Sequence, residues 1–484
     1  MMDEPGYGQH FLWHLARIGA LQPAGTAPET WQPSPAWVAL LGHAKPVRIA
    51  LIDNGAALDH PNLQEPGRPC LHQPIEFAAH VQGTLYADDP DAAVPRFDRL
   101  PAALAQIGID DPAAFFDRPL TPQLGDAIHG YLAGTLSPAR IDLLSPSARF
   151  AAHGTCCAGL LAGRPEPEGA THRSPVTLPY YGVNPVAQVI PIATVYSPAY
   201  WPLIMGLLYA IDRGADVILM PRAAEDMLSP ADYLAVWGED GKPKLGEDAD
   251  PRGNGNLTDA ARYADKLLFE ELLLKIAAHV PVILAAGNSG QSRLEYPASL
   301  AAPDNALITV GAVNSLGRIA SYSSGQADGP TVLAPSDDRE EISNAYFRHS
   351  DTSWRARRLD LSAVEGWIDA VSDYSPYGVL ATDIPGPYGY DASTTSDRDL
   401  TEDRLPASVI ADRMGQESLP RGLYTLFGGT SAASTIVAGI VSLIKASPAG
   451  KDLDGHAMKQ KLLAISQDNV PLALDALQAA DEPD

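Results

Sequence analysis

The sequence predicts an α/β fold: a doubly wound, mostly parallel sheet with helices on both faces, interrupted by two large insertions. Three observations carry this. The runs VRIALI (47–52), QVIPIATV (188–195), ADVILM (215–220), VPVILAA (280–286) and ALITVGAV (306–313) are short and nearly all apolar. Strands buried on both faces read that way. Helical patterns at 201–213, 257–279 and 430–446 separate several of them, and strands alternating with helices imply parallel neighbours. Finally, 484 residues with 45% hydrophobic content can fill one large core, while 41 Gly and 43 Pro mark many turns.

Two stretches break the rhythm. Residues 64–147 are rich in Pro, Asp and Ala without sustained strand periodicity, and 336–415 carry many Asp, Ser and Tyr. Loops of such length are functional or disordered insertions rather than core. The expected organisation is therefore a single domain over 1–484 with insertions at 64–147 and 336–415.

Composition excludes some function classes. Acidic residues outnumber basic ones 59 to 34, for a formal charge of −25. Nucleic acids and anionic membranes require a basic face, so neither is an expected partner. Only Cys70, Cys156 and Cys157 occur, too few for a closed disulfide set, which favours a reducing compartment. The start MMDEPGYGQH shows no basic n-region or apolar h-region of a signal peptide. The apolar run 436–444 is far shorter than the roughly 18 residues of a membrane span. A soluble cytoplasmic protein is expected.

Four residues could do chemistry. Asp53 ends the first strand, just before Asn-Gly and a DHP turn at 59–61. There it could bind metal or phosphate, cap the turn, or take part in catalysis. His153, in AAHGTCCAGLLAG, sits in the first turn of a helix whose small residues allow close approach to the sheet. A surface or satisfied His is the plain alternative. Asn288 follows a buried strand in VILAAGNSG, either as a turn residue or as an amide donor aimed into a cleft. Ser431, in GGTSAAS, opens an apolar helix, where a Ser caps free N–H groups but also meets a field that favours developing negative charge. In doubly wound sheets, catalytic groups gather at the carboxyl ends of strands, and all four lie at or just beyond predicted strand ends or helix starts, where one cleft could gather them. A Ser nucleophile needs a His base, an Asp to orient it, and donors for the oxyanion. The chain supplies each role in the order Asp, His, Asn, Ser.

These motifs resemble those of the subtilisin family of serine proteases. IDNG with DHPNL resembles its Asp motif, HGTCCAG its His motif, AAGNSG its oxyanion motif and GTSAAS its Ser motif. Supporting stretches are QHFLWHLARIGA (9–20), GVNPVAQV (182–189) and YPASLAAPDNALITVGAVNSLGRIASYSS (296–324). The resemblance implies that Asp53 orients His153, that His153 is general base and then acid, and that Ser431 attacks. Asn288 and the Ser431 backbone N–H would form the oxyanion hole. It also implies an extended peptide or protein substrate lying along Pro221, Arg222 and Ala223, facing Ala286 and Gly287, with Tyr200 on the opposite wall. No cofactor is needed for such chemistry. Structural calcium is frequent in the family, but no ligand loop here can be assigned to it.

The chain departs from the family in several places. Cys156 replaces the usual second His, and Cys157 falls where kexin-like members carry a Cys; both read as small hydrophobes rather than redox or metal groups. Pro-His after the Ser motif is Thr435-Ile436 here, and the groove strand reads Pro221-Arg222-Ala223 where Ser-Leu-Gly is usual. Arg222 could favour acidic substrate side chains, or point to solvent, or pair with Glu225 or Asp226. The insertions spread the motifs, with 100 positions from Asp53 to His153 and 143 from Asn288 to Ser431. They could cover the cleft or dock a regulatory partner. RARR (355–358) reads as a solvated charge run or a cleavage site. Since the likeness starts within the first residues, no inhibitory propeptide is expected. An endopeptidase is the leading expectation; a transpeptidating peptide-maturation enzyme and a peptide-binding pseudoprotease are the alternatives.

Overall fold

The computed structural model describes residues 12–23, 31–43, 46–57, 60–63, 75–76, 99–133, 139–140, 151–165, 180–194, 199–229, 260–327, 329–338, 341–342, 347–348, 378–384, 389–390 and 423–471. Cys70, the run at 355–358 and most of both insertions lie outside the described residues.

The first elements are α1 (Trp13–Arg17), β1 (Leu21–Pro23), β2 (Trp31–Pro33), α2 (Pro35–His43), β3 (Arg48–Asp53) and β4 (Ile75–Glu76). Then come α3 (Leu100–Gln106), α4 (Pro112–Phe116), α5 (Pro122–Leu132), β5 (Ala139–Arg140), α6 (Ala151–Ala162), β6 (Gln188–Ala193), α7 (Tyr200–Asp212) and β7 (Val217–Met220). Next are α8 (Ala260–His279), β8 (Val282–Ala285), β9 (Ile308–Val313), β10 (Val332–Pro335), β11 (Glu341–Ile342), β12 (Phe347–Arg348) and β13 (Val379–Thr382). The chain closes with β14 (Tyr424–Phe427), α9 (Gly429–Ala446), α10 (Gly455–Ala464), β15 (Ser466–Gln467) and β16 (Val470–Pro471).

The main sheet has the order β10-β9-β8-β7-β3-β6-β4-β5, parallel throughout except for β5 against β4. Its strands alternate between two cores because successive side chains point to opposite faces. Ile49, Leu51, Val217 and Leu219 face one core with α6 and α9; Ala50, Ile52, Ile218 and Met220 face the other with α7 and α8. The doubly wound expectation is realised. Strand order reverses around β3, so the carboxyl end of β3 opens onto the crevice of the switch point. Asp53 is the last residue of that strand.

α9 explains its own apolarity. It is long enough to span a membrane, with a mean hydropathy of 1.4, but 89% of it is buried inside the fold.

Part of the first insertion is core, against expectation. Leu100, Leu104, Phe116, Leu124 and Ile128 are buried in the same cluster as α7 and α8. The Asp and Pro residues there mark helix starts rather than loops: Asp111 caps α4, accepting from Ala114 N at 3.0 Å, and Pro112 takes the first helical position. Within the second insertion, Val379–Thr382 form β13, which pairs antiparallel with β14. That ribbon leads straight into α9.

Candidate active site

Asp53 is 1% exposed, and its two carboxylate oxygens have separate tasks. Oδ1 accepts from Asn54 N at 2.7 Å, and Oδ2 accepts from His153 Nδ1 at 2.6 Å. Burial alone would raise the carboxyl pKa. The facing His153 and its hydrogen bond, the Arg222 cation and the Asn54 N–H outweigh burial and leave it below its ordinary value. Asp53 therefore stays ionised and holds His153 with its Nδ1–H toward the carboxylate.

His153 is the third residue of α6, and small neighbours decide where its ring can be. A Cβ at Gly154 would stand 1.8 Å from the Gly55 carbonyl oxygen, so only glycine lets the helix come this close to the Asp53 loop. Thr155 Oγ1 accepts from Ala57 N at 2.9 Å, and Thr382 Oγ1 donates to the Thr155 carbonyl at 2.7 Å. The Phe427 ring meets the His153 ring edge-on at 5.2 Å and 76°. The His153 side chain keeps 20% of its surface exposed.

Ser431 lies in the first turn of α9, whose leading N–H groups have no intrahelical acceptor. Its Oγ donates to the Pro221 carbonyl at 2.8 Å. No hydrogen bond joins it to His153 among the described residues. Asn288 is held by its oxygen: Oδ1 accepts from Thr430 N at 2.8 Å and from Thr430 Oγ1 at 2.9 Å. Thr430 Oγ1 in turn accepts from Gly287 N at 3.1 Å. These bonds leave the Asn288 NH₂ group as the available donor beside Ser431. Sequence reasoning passed over Thr430, although its place between Asn288 and Ser431 follows from GGTS opening the helix.

The groove residues have mixed fates. Pro221 is buried and offers its carbonyl to Ser431, while Ala223 is exposed. Ala286 is buried, with its N–H on Val310 O at 3.0 Å and its carbonyl taken by Glu295 N at 2.9 Å, so its backbone is already used within the fold. Tyr200 does not line an open wall. It is 6% exposed, packs near Phe269 and Tyr296, and its hydroxyl donates to the Glu225 carbonyl, bracing the chain beyond Ala223 from behind. An aromatic at the first turn of an apolar helix is drawn into the core by its area. Arg222 turns back toward β3: its Nη1 donates to Asn54 Oδ1 at 3.0 Å and to Thr194 Oγ1 at 2.7 Å. Asp226, an expected partner, is bridged to Lys266 at 2.6 Å.

Asp53, His153 and Cys157 offer ligand atoms within 4.8 Å of one another, the one such group among the described residues. His153 Nδ1 is already committed to Asp53. The Cys157 thiol stands 4.0 Å from Nδ1, and burial, ahead of nearby Asp53, pushes it up away from the thiolate. Cys156 is likewise buried and raised by burial first. Both behave as the small hydrophobes the sequence suggested.

A buried Asp–His pair, a helix-borne Ser and an Asn amide on the carboxyl edge of a doubly wound sheet define a hydrolase-type site. The subtilase family model matches residues 44–479, and the chain belongs to that family. It is a subtilisin-like serine protease. Among solved structures, the nisin leader peptidase NisP from Lactococcus lactis is similar at 15% identity, covering 98% of this chain and 94% of that one with a TM-score of 0.50. A lanthipeptide protease is similar at 14% identity, covering 90% and 89% with a TM-score of 0.46. Fervidolysin from Fervidobacterium pennivorans, a keratinolytic enzyme related to subtilisin, is similar at 16% identity, covering 100% and 49% with a TM-score of 0.47. No curated protein matches the sequence.

Proposed function

We propose that this protease cuts peptide bonds as an endopeptidase, with Ser431 as nucleophile, His153 as general base and then acid, and Asp53 as the group that orients it. The observation that carries the reading is the 2.6 Å contact between a fully buried Asp53 carboxylate and a partly exposed His153. A buried charge is costly unless it is paired, and here its partner is the one side chain able to take a Ser proton. In the resting arrangement the Ser431 proton rests on the Pro221 carbonyl. Hydrogen bonds of the reacting groups often tighten only once substrate is bound, and the reading requires the Ser431 hydroxyl to leave Pro221 and turn to His153. Ser431 Oγ then attacks the scissile carbonyl. The oxyanion is met by the Asn288 NH₂ and the Ser431 backbone N–H, His153 gives its proton to the leaving amine, and water resolves the ester. Nothing in this sequence calls for a metal.

The test is labelling with a fluorophosphonate, followed by intact and peptide mass. A single adduct on Ser431, absent from Ser431→Ala, is expected. A folded protein that takes no label there would overturn the reading. Product masses then separate hydrolysis, which adds one water to the summed products, from transpeptidation, which adds none.

A further inference from the structure

We propose that Glu295 sets the substrate preference, holding a Lys or Arg side chain on the residue whose carbonyl is attacked. This inference rests on the acyl-transfer reading above. The segment Glu295-Tyr296 straps one wall of the groove to the other: Glu295 N donates to the Ala286 carbonyl at 2.9 Å, and Ala224 N donates to the Tyr296 carbonyl at 2.8 Å. It is the floor between the 221–224 wall and the 286–288 wall.

From that floor the Glu295 side chain lies against Gly287. A Cβ at position 287 would stand 2.2 Å from Glu295 Cδ and 2.4 Å from Cγ, and Gly287 has φ of +109°. The carboxyl end thus fills the space that any larger residue at 287 would occupy. Asn288, whose amide would meet the oxyanion, is the next residue. A substrate carbonyl on Asn288 directs its own side chain between the two walls, toward this floor.

The carboxylate is fixed but not saturated. Oε1 accepts from Ser289 N at 2.9 Å and from the Ser324 hydroxyl at 3.1 Å. Among the described residues no donor reaches Oε2, and no Lys, Arg or His pairs with Glu295. The other charge of the groove contrasts with it, since both Nη1 hydrogens of Arg222 are spent on Asn54 and Thr194. An ionised acceptor with an open oxygen recognises a cation through a charge-assisted hydrogen bond. The formal charge of −25 favours the approach of cationic peptides to the protein as a whole.

The experiment uses the full chain, with one aliquot labelled at Ser431 by the fluorophosphonate and the unlabelled remainder kept for cleavage. Matched peptides then carry Arg, citrulline, norleucine or Glu at the residue before the cut. A hydrogen bond to a charged group contributes about 1.5–3 kcal/mol, so cleavage after Arg is expected to exceed that after equal-sized citrulline by about 10- to 100-fold. Glu295→Gln keeps an oxygen for Ser289 and Ser324 and is expected to bring the ratio close to one. A wild type whose aliquot takes the label, and whose unlabelled remainder cuts after Arg and citrulline equally, overturns the proposal while acyl transfer stands, whether or not the variant folds. A folded protein that is neither labelled nor active overturns both.

Discussion

His60, in the DHP turn, provides the sharpest test of how the site is buttressed. It is 3% exposed, and its two ring nitrogens have opposite roles. Nε2 donates to the Leu423 carbonyl at 2.8 Å, and Nδ1 accepts from Asn62 N at 3.1 Å. Such a ring is neutral, because a proton on Nδ1 would face the Asn62 N–H. Burial lowers its pKa from 6.5 to about 4, against a smaller opposing effect of the bond to Leu423. The folded value lies below the unfolded one, so between these pH values the unfolded chain takes up a proton that the folded chain refuses. Stability contributed by the neutral ring is complete above pH 6.5 and drains away as pH falls toward 4. At about 1.4 kcal/mol per pH unit the full gap is worth roughly 3 kcal/mol. The assay is urea unfolding of Ser431→Ala, which avoids self-digestion, compared with the same protein carrying His60→Gln, from pH 7.5 to 4.5. The His60 protein should lose stability below pH 6.5 more steeply than the Gln variant, by about 1 kcal/mol per pH unit. Parallel curves would refute the argument. The consequence reaches the chemistry, since Leu423 immediately precedes β14, the strand that delivers Ser431.

Four further outcomes follow from the contacts. Gly154→Ala drives a methyl into the Gly55 carbonyl at 1.8 Å; overpacking of this kind costs about 1–3 kcal/mol, read as a lowered Tm together with slower labelling of Ser431. Thr430→Val removes the hydroxyl shared by Asn288 and Gly287, so kcat should fall about 10-fold with KM little changed, and Thr430→Ser should restore it. Arg222→Met should lower kcat/KM about 10-fold for acidic and neutral peptides alike, because the guanidinium secures Asn54 and Thr194; a loss confined to acidic peptides would return Arg222 to the role of substrate reader. Cys156 and Cys157, both 0% exposed, should resist alkylation in the folded protein and react on unfolding, as peptide mapping would show.

The fold was legible where local pattern and burial agree. All five apolar runs are strands of the main sheet, with ends shifted by a residue or two, because a strand buried on both faces has no polar residues to blur it. β10 escaped notice: four residues, Val332–Pro335, ending in Pro, carry too little periodicity to stand out. The helices α3, α4 and α5 escaped for the opposite reason. Asp and Pro were counted as loop formers, whereas at Asp111-Pro112 they cap and start a helix that buries Phe116. The same residue types serve both purposes, and only the apolar spacing behind them tells which.

The site shows a further division. Asp53, His153, Asn288 and Ser431 stand out in the sequence because each sits near the end or start of an element, while the roles expected of them follow from the resemblance to the subtilisin motifs. Several of their supporting contacts run over 98 to 363 positions, such as Ala57 with Thr155 or His60 with Leu423, and no local pattern encodes those. Charges are hardest, since a side chain several bonds long chooses among acceptors that only the folded chain assembles. From its place in the groove strand Arg222 could read substrate, meet solvent or pair with Glu225 or Asp226, yet its Nη1 turns inward to neutral acceptors on Asn54 and Thr194. Glu295 carries no local signal before Tyr-Pro, yet the missing side chain at Gly287 makes room for its carboxyl end. A guanidinium nitrogen whose hydrogens are both spent inside the fold has none left for a ligand, and a carboxylate with an open oxygen still has a bond to offer. On that physical ground the groove selects cations, the reverse of what its most visible charge suggests.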